Sequence, residues 1–151
     1  MSDANMAEGA LAGLRVVDLT DDSGRFATKI LNELGADVVR VTRAGSRGNM
    51  MVDPVAAARG GVLDWWYDGG KRRCTTDLNT EAGRDMYRQL SASAELIIET
   101  EPPGRLASYG IDHGDLLALQ PRLVQVSLTP FGRTGPKSGW VTSDLVSAAH
   151  G

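Results

Sequence analysis

From Leu14 onward, short β-branched runs alternate with amphipathic stretches, the polarity pattern of β-α-β units in a mostly parallel sheet. Val16-Val17-Asp18-Leu19 predicts the first strand. A turn follows at Asp21-Asp22-Ser23-Gly24, then a helix in which Phe26, Ile30, Leu31 and Leu34 share one apolar face. Gly35 is placed to end that helix, and Asp37–Thr42 ("DVVRVT") predicts the second strand, closing a unit of about thirty residues. Positions 43–61 are irregular and rich in Gly, Ala and Arg, the composition of a functional or mobile loop. "VLDWWY" at 62–67 predicts a short helix or an apolar plug over the sheet.

The second half repeats the alternation. Cys74–Leu78 predicts a weak strand, Asn79-Thr80-Glu81 a helix start, and Ala82, Met86, Tyr87 and Leu90 the apolar positions of the helix itself. Glu95–Thr100 ("ELIIET") predicts a strand stopped by Pro102-Pro103-Gly104. Asp112 is expected to cap a short helix, Leu123–Leu128 to form a further strand, and Ser143 to cap a last helix. The expected fold class is α/β: a Rossmann-like, mostly parallel sheet flanked by helices over residues 11–151, with 1–10 as a disordered lead-in.

Composition narrows the function. The 151 residues carry 16 Lys and Arg against 19 Asp and Glu, a net charge of −3, which argues against general nucleic-acid binding. Any anion site is therefore local. A single cysteine, Cys74, makes an internal disulfide impossible and, with two histidines far apart, offers no metal-ligand spacing, so no metal is expected. Apolar runs fall far short of the ~20 residues of a membrane span, and the N-terminus lacks signal-peptide character. A cytoplasmic location is expected.

The stretch "GGKRRCTTDL" at 69–78 concentrates two glycines and three cations. A P-loop is excluded, since that motif needs glycine at position 65 and Ser or Thr at 72, where Trp65 and Arg72 stand. The first β-α turn holds one glycine, Gly24, where a dinucleotide fingerprint needs three, so no nicotinamide or flavin is expected. A solvated turn and a phosphate-facing cation cluster both remain open for Lys71-Arg72-Arg73. Asp21 and Asp22 read mainly as helix caps, and no nucleophile elbow supports hydrolysis.

Five segments in register resemble the class III CoA-transferase family of formyl-CoA transferase, carnitine CoA-transferase and the alpha-methylacyl-CoA racemases. They are "LAGLRVVDLT" (11–20), "LNELGADVVRV" (31–41), "GGKRRCTTDLNTEAG" (69–83), "ELIIETEPPGRLASYGI" (95–111) and "RLVQVSLTPFGRTGP" (122–136). The resemblance implies an N-terminal Rossmann-like CoA-binding domain, a chain continuing well beyond Gly151, and a homodimer in the full-length form. It implies CoA contacts at Asp22, Ser23, Gly24, Arg43, Lys71 and Arg72, with acyl-CoA and a carboxylic acid as substrates.

The family's nucleophilic aspartate falls beyond Gly151, so no catalytic residue is assigned and the 151-residue chain alone is expected to be inactive. Thr42, Thr100, Pro102 and Ser108 depart from the family pattern, and Ser143 stands where racemases carry histidine. A racemase-like enzyme and a non-catalytic CoA-binding or assembly module are the alternatives to a transferase.

Overall fold

The computed structural model describes residues 9–44 and 61–150; the expected lead-in over positions 1–8 and most of the irregular stretch after Arg43 lie outside them. In chain order the elements are β1 (Arg15–Leu19), α1 (Arg25–Glu33), β2 (Asp37–Arg43), α2 (Val62–Asp68), β3 (Arg72–Thr76) and α3 (Glu81–Ala92). There follow β4 (Leu96–Glu99), α4 (Arg105–Ser108), α5 (His113–Leu119), β5 (Val124–Ser127) and α6 (Asp144–His150). The strands form one five-stranded sheet in the order β3-β2-β1-β4-β5, every pair parallel.

This order places a topological switch at the centre. From β1 the chain winds outward through β2 to β3, then crosses back by α3 to put β4 on the other side of β1. In open α/β sheets the crevice outside the carboxyl ends of the strands at such a switch is where ligands bind.

One face of the sheet is conventional. Val17, Leu19, Val41 and Ile97 point into a cluster with Leu78, Tyr87, Leu106, Ile111, Leu116 and Leu123, all at most 4% exposed. Each such side chain removed from water contributes about 1.5–3 kcal/mol before chain entropy is set against it. Among the described residues, the other face carries only Val16, Ala36 and Val38 in its apolar cluster, edged by Leu11, Leu14, Leu31 and Leu96.

The caps expected at Gly35, Thr80 and Asp112 form. Gly35 adopts φ 100°, donating to the carbonyl of Asn32 at 3.0 Å while Ala36 donates to Leu31 at 3.0 Å, the paired bonds of a Schellman end. The Thr80 hydroxyl accepts from the Gly83 amide at 3.1 Å. Asp112 and Asp115 form a reciprocal capping box on α5, and "VLDWWY" is helical in α2.

One strand boundary is corrected, and one helix turns its apolar face away from the sheet. β3 begins at Arg72 rather than Cys74, because Arg72 and Arg73 pair with Val39 and Arg40 of β2. The apolar face of α1 does not lie on the sheet: Phe26, Ile30 and Leu34 are 52%, 41% and 45% exposed, and only Leu31 turns inward. The buried side of α1 is instead Arg25 and Thr28, because the sheet face beneath it is charged.

Candidate functional site

Asp18, fully buried next to the carboxyl end of β1, is where that charge originates. Its Oδ1 accepts from the Thr20 amide (3.1 Å), the Thr20 hydroxyl (2.7 Å) and Arg40 Nη1 of β2 (2.8 Å). Its Oδ2 accepts from the Thr28 hydroxyl of α1 (2.6 Å) and from Lys71 Nζ (3.0 Å). Lys71 Nζ also donates to Thr28 Oγ1 (2.8 Å) and Asp68 Oδ1 (3.0 Å). Arg25 completes the set, donating to Asp68 and Asp64 at 2.6 Å and to Asp22 at 3.2 Å, with its guanidinium over the Tyr67 ring.

Burial works to raise the pKa of Asp18, but the charges of Arg40 and Lys71 and the threonine hydroxyls outweigh it and hold the carboxyl below its ordinary range. At Asp68 burial is opposed in the same way, first by the hydrogen bond from Lys71 and then by that from Arg25, and the carboxyl is again depressed. Burial disfavours the charge on Arg25, yet its bonds to Asp64 and Asp68 prevail and hold its pKa above the usual arginine value. These groups are ions at neutral pH. They fasten β1, α1, β2, α2 and the approach to β3 to one another.

Above this network lies the β1–α1 turn. Asp21 donates its amide to Thr100 Oγ1 at 2.7 Å, which ties the carboxyl ends of β1 and β4 together at the switch. Asp21 Oδ1 accepts from the Ser23 amide (3.0 Å) and hydroxyl (2.5 Å). Asp21 therefore organises the turn, while α1 is capped by Gly24 with no side-chain hydrogen bond, contrary to the capping role expected for the two aspartates. A Cβ on Gly24 would fall 2.6 Å from Thr20 Cγ2 and 3.1 Å from Thr100 Cγ2, so the turn sits against both strand ends.

Two buried glutamates complete the carboxyl edge. Glu99, 1% exposed at the end of β4, accepts the Glu101 amide at 2.5 Å on Oε2 and Arg133 Nη1 at 3.2 Å on Oε1. Arg133 Nη1 also reaches Ser127 Oγ at the end of β5, at 2.6 Å. Glu101, 4% exposed, is ion-paired with Arg43, which crosses from the end of β2 over the end of β1 to reach it.

The structure brings four of the six expected ligand residues to this edge: Asp22, Ser23 and Gly24 in the turn, and Arg43. Lys71 lies beneath, its ammonium fully buried and engaged by Asp18, Thr28 and Asp68. Arg72 stands at the opposite end of the sheet, clamped by Nε (2.8 Å) and Nη2 (2.5 Å) on Asp37, the first residue of β2. The expectation that all these cations converge is corrected, because residues preceding a parallel strand arrive at its amino end. Sequence reasoning missed Asp18, Glu99, Glu101 and Arg133. A signal existed: an acid embedded in each of the apolar strands "RVVDL" and "LIIE".

The model of CoA-transferase family III matches residues 11–151. The chain belongs to CoA-transferase family III. Its relatives include the BbsE subunit of succinyl-CoA:(R)-benzylsuccinate CoA-transferase from Thauera aromatica, 40% identical over 89% of this chain and 34% of that protein. The succinate–glutarate CoA-transferase of Agrobacterium fabrum is 33% identical over 97% of this chain and 38% of its own length. Among solved structures, a CAIB/BAIF family protein from Brucella suis superposes with a TM-score of 0.79 at 33% identity, covering 92% of this chain and 38% of that one. Rv3272 from Mycobacterium tuberculosis gives a TM-score of 0.82 at 31% identity, over 95% and 41%. The chain spans roughly a third to two fifths of these family members.

Proposed function

We propose that this chain is the CoA-binding portion of a family III transferase that, at full length, moves CoA between carboxylic acids. One observation carries the reading. In a chain of this family, the edge at the β1–β4 switch is formed by the Asp22-Ser23-Gly24 turn and by Arg43, whose guanidinium is half exposed. A cation at the carboxyl end of a parallel sheet is suited to the phosphates of CoA. Lys71 serves this site indirectly, by holding Asp18 and through it the start of the turn. Arg72, paired with Asp37 at the opposite end of the sheet, lies away from this edge.

Catalysis by covalent attack of a carboxylate requires a nucleophile, which this reading places in sequence beyond Gly151. Relatives named for succinyl-CoA and dicarboxylic acids make a dicarboxylate the first acceptor to test. Full-length protein incubated with succinyl-CoA and glutarate or a benzylsuccinate is expected to release succinate and form the second thioester, and the 151-residue chain alone to release none. Titration with CoA is expected to show Arg43→Met binding about tenfold more weakly or worse, the loss of one charge-assisted contact. Full-length protein that binds no CoA defeats the reading.

Two relatives are named as subunits, BbsE and the beta subunit of succinyl-CoA–L-malate CoA-transferase from Chloroflexus aurantiacus. This favours assembly of the full chain with a second copy or a sister subunit, which its mass in solution would reveal. Cytoplasmic residence belongs to the same proposal and rests on composition.

A further inference from the structure

Arg43 and Glu101 have a counterpart across the switch. Arg133 lies in the segment after β5, between Gly132 (φ 81°) and a second left-handed glycine, Gly135 (φ 96°). It is anchored to Glu99 and Ser127, which are register partners at the ends of β4 and β5. Both arginines are half exposed, at 52% and 42%, and both are held by glutamates at most 4% exposed. Glu99 and Glu101 are two residues apart and joined by a hydrogen bond, so the two guanidiniums are fixed to one strand end.

A cation serving only to neutralise Glu99 would turn its donors to that carboxylate. Arg133 does otherwise. Nη1 alone makes both of its hydrogen bonds, leaving Nε and Nη2 without a partner among the described residues. An arginine fixed by one nitrogen, with the remaining donors of a planar fork unused, is arranged to receive a phosphate.

We infer that Arg133 is a second anion-binding cation of the carboxyl edge, acting on the far side of the switch from Arg43, and that the two together hold the phosphates of a pyrophosphate-bearing ligand. For CoA as that ligand, the inference rests on the CoA-binding reading above.

The test is calorimetric titration of full-length protein with CoA and, separately, with inorganic pyrophosphate. The variants are Arg133→Met, Arg133→Lys and the double variant Arg133→Met/Glu99→Gln, which removes the buried charge together with its partner. The expected result is a loss of tenfold or more for both ligands in Arg133→Met, partial retention in Arg133→Lys, and no recovery in the double variant. Full recovery in the double variant would show that Arg133 only neutralises Glu99, and overturns the inference. So does CoA binding that is unchanged in every variant, a result that leaves the CoA reading standing. Arg133-dependent binding of pyrophosphate without binding of CoA defeats the CoA reading and keeps the anion site. Wild-type protein that binds neither defeats both.

Discussion

Lys71 and Arg72 are adjacent cations with opposite fates, and they separate what burial does from what charge does. Lys71 is surrounded by Asp18, Asp68 and Thr28 with no exposed side-chain surface, whereas the Arg72–Asp37 pair is 61% and 42% exposed. Removing one partner of a buried ion pair leaves the other charge stranded, at a cost of about 3–5 kcal/mol, while an exposed pair is worth about 0–1 kcal/mol. Lys71→Met is therefore expected to lower the urea midpoint sharply and Arg72→Ala barely to move it; equal effects would contradict the burial shown here. Gly83 makes a second residue-scale case. Alanine is the better helix former by about 1 kcal/mol, but a Cβ at this position would fall 1.9 Å from the Asp77 carbonyl oxygen and 2.8 Å from Thr76 Oγ1. Overpacking against backbone costs about 1–3 kcal/mol or more. Gly83→Ala is expected to destabilise the protein in chemical denaturation, and an unchanged or raised midpoint would show that α3 can shift.

At the scale of elements, α1 shows where a polarity pattern stops being informative. Its amphipathicity is real, but the apolar side faces out, where Phe26 stacks on Trp66 at 6.0 Å and Ile30 is exposed. The inward side must meet Asp18, Arg40, Lys71 and Asp68, contributed by β1, β2 and the segment around α2. No window of sequence holds these together, so a rule that turns apolar faces inward assigns this helix the wrong way round. β1, β2, β4 and β5 were legible because β-branched runs bounded by turn residues need no distant partner to be recognised. The Asp22–Gly24 turn and Arg43 were singled out by resemblance to the family, and both lie at the carboxyl edge. Arg133 and Glu101 were not legible, and the acid in "LIIE" marks Glu99 without its role, because these roles depend on the spatial adjacency of β4 to β1 and β5. The inversion carries its own prediction. Ile30→Ser is expected to change stability by less than about 1 kcal/mol, as for an exposed position. Thr28→Val, of similar shape, deprives Asp18 of a donor and Lys71 of an acceptor and is expected to cost about 1–3 kcal/mol. The reverse order, measured by denaturation, would mean that α1 packs by its apolar face.

For the whole molecule, the ion network makes the sheet's second face a pH-dependent core. Asp18 and Asp68 both have depressed pKa values in the folded state, against about 4 for an unfolded carboxyl. A group depressed on folding contributes its full stabilisation above its unfolded pKa and loses it as pH falls through the folded value. Their contribution is therefore constant from neutrality down to about pH 5 and declines below about pH 4, each proton taken up on unfolding adding a slope of about 1.4 kcal/mol per pH unit. Over the same range the net charge turns from −3 towards strongly positive as the 19 acids are neutralised and the 16 Lys and Arg remain, and self-repulsion reinforces the loss. The two causes are separable. Salt screens repulsion between exposed charges and scarcely reaches a buried pair, so acid unfolding followed at low and at moderate ionic strength should retain most of its steepness. Asp18→Asn/Lys71→Met, with one charge of each sign removed, should be less stable at neutrality yet show a shallower decline below pH 4. A decline just as steep in that variant would assign acid sensitivity to surface carboxylates and leave the buried network without a part in it.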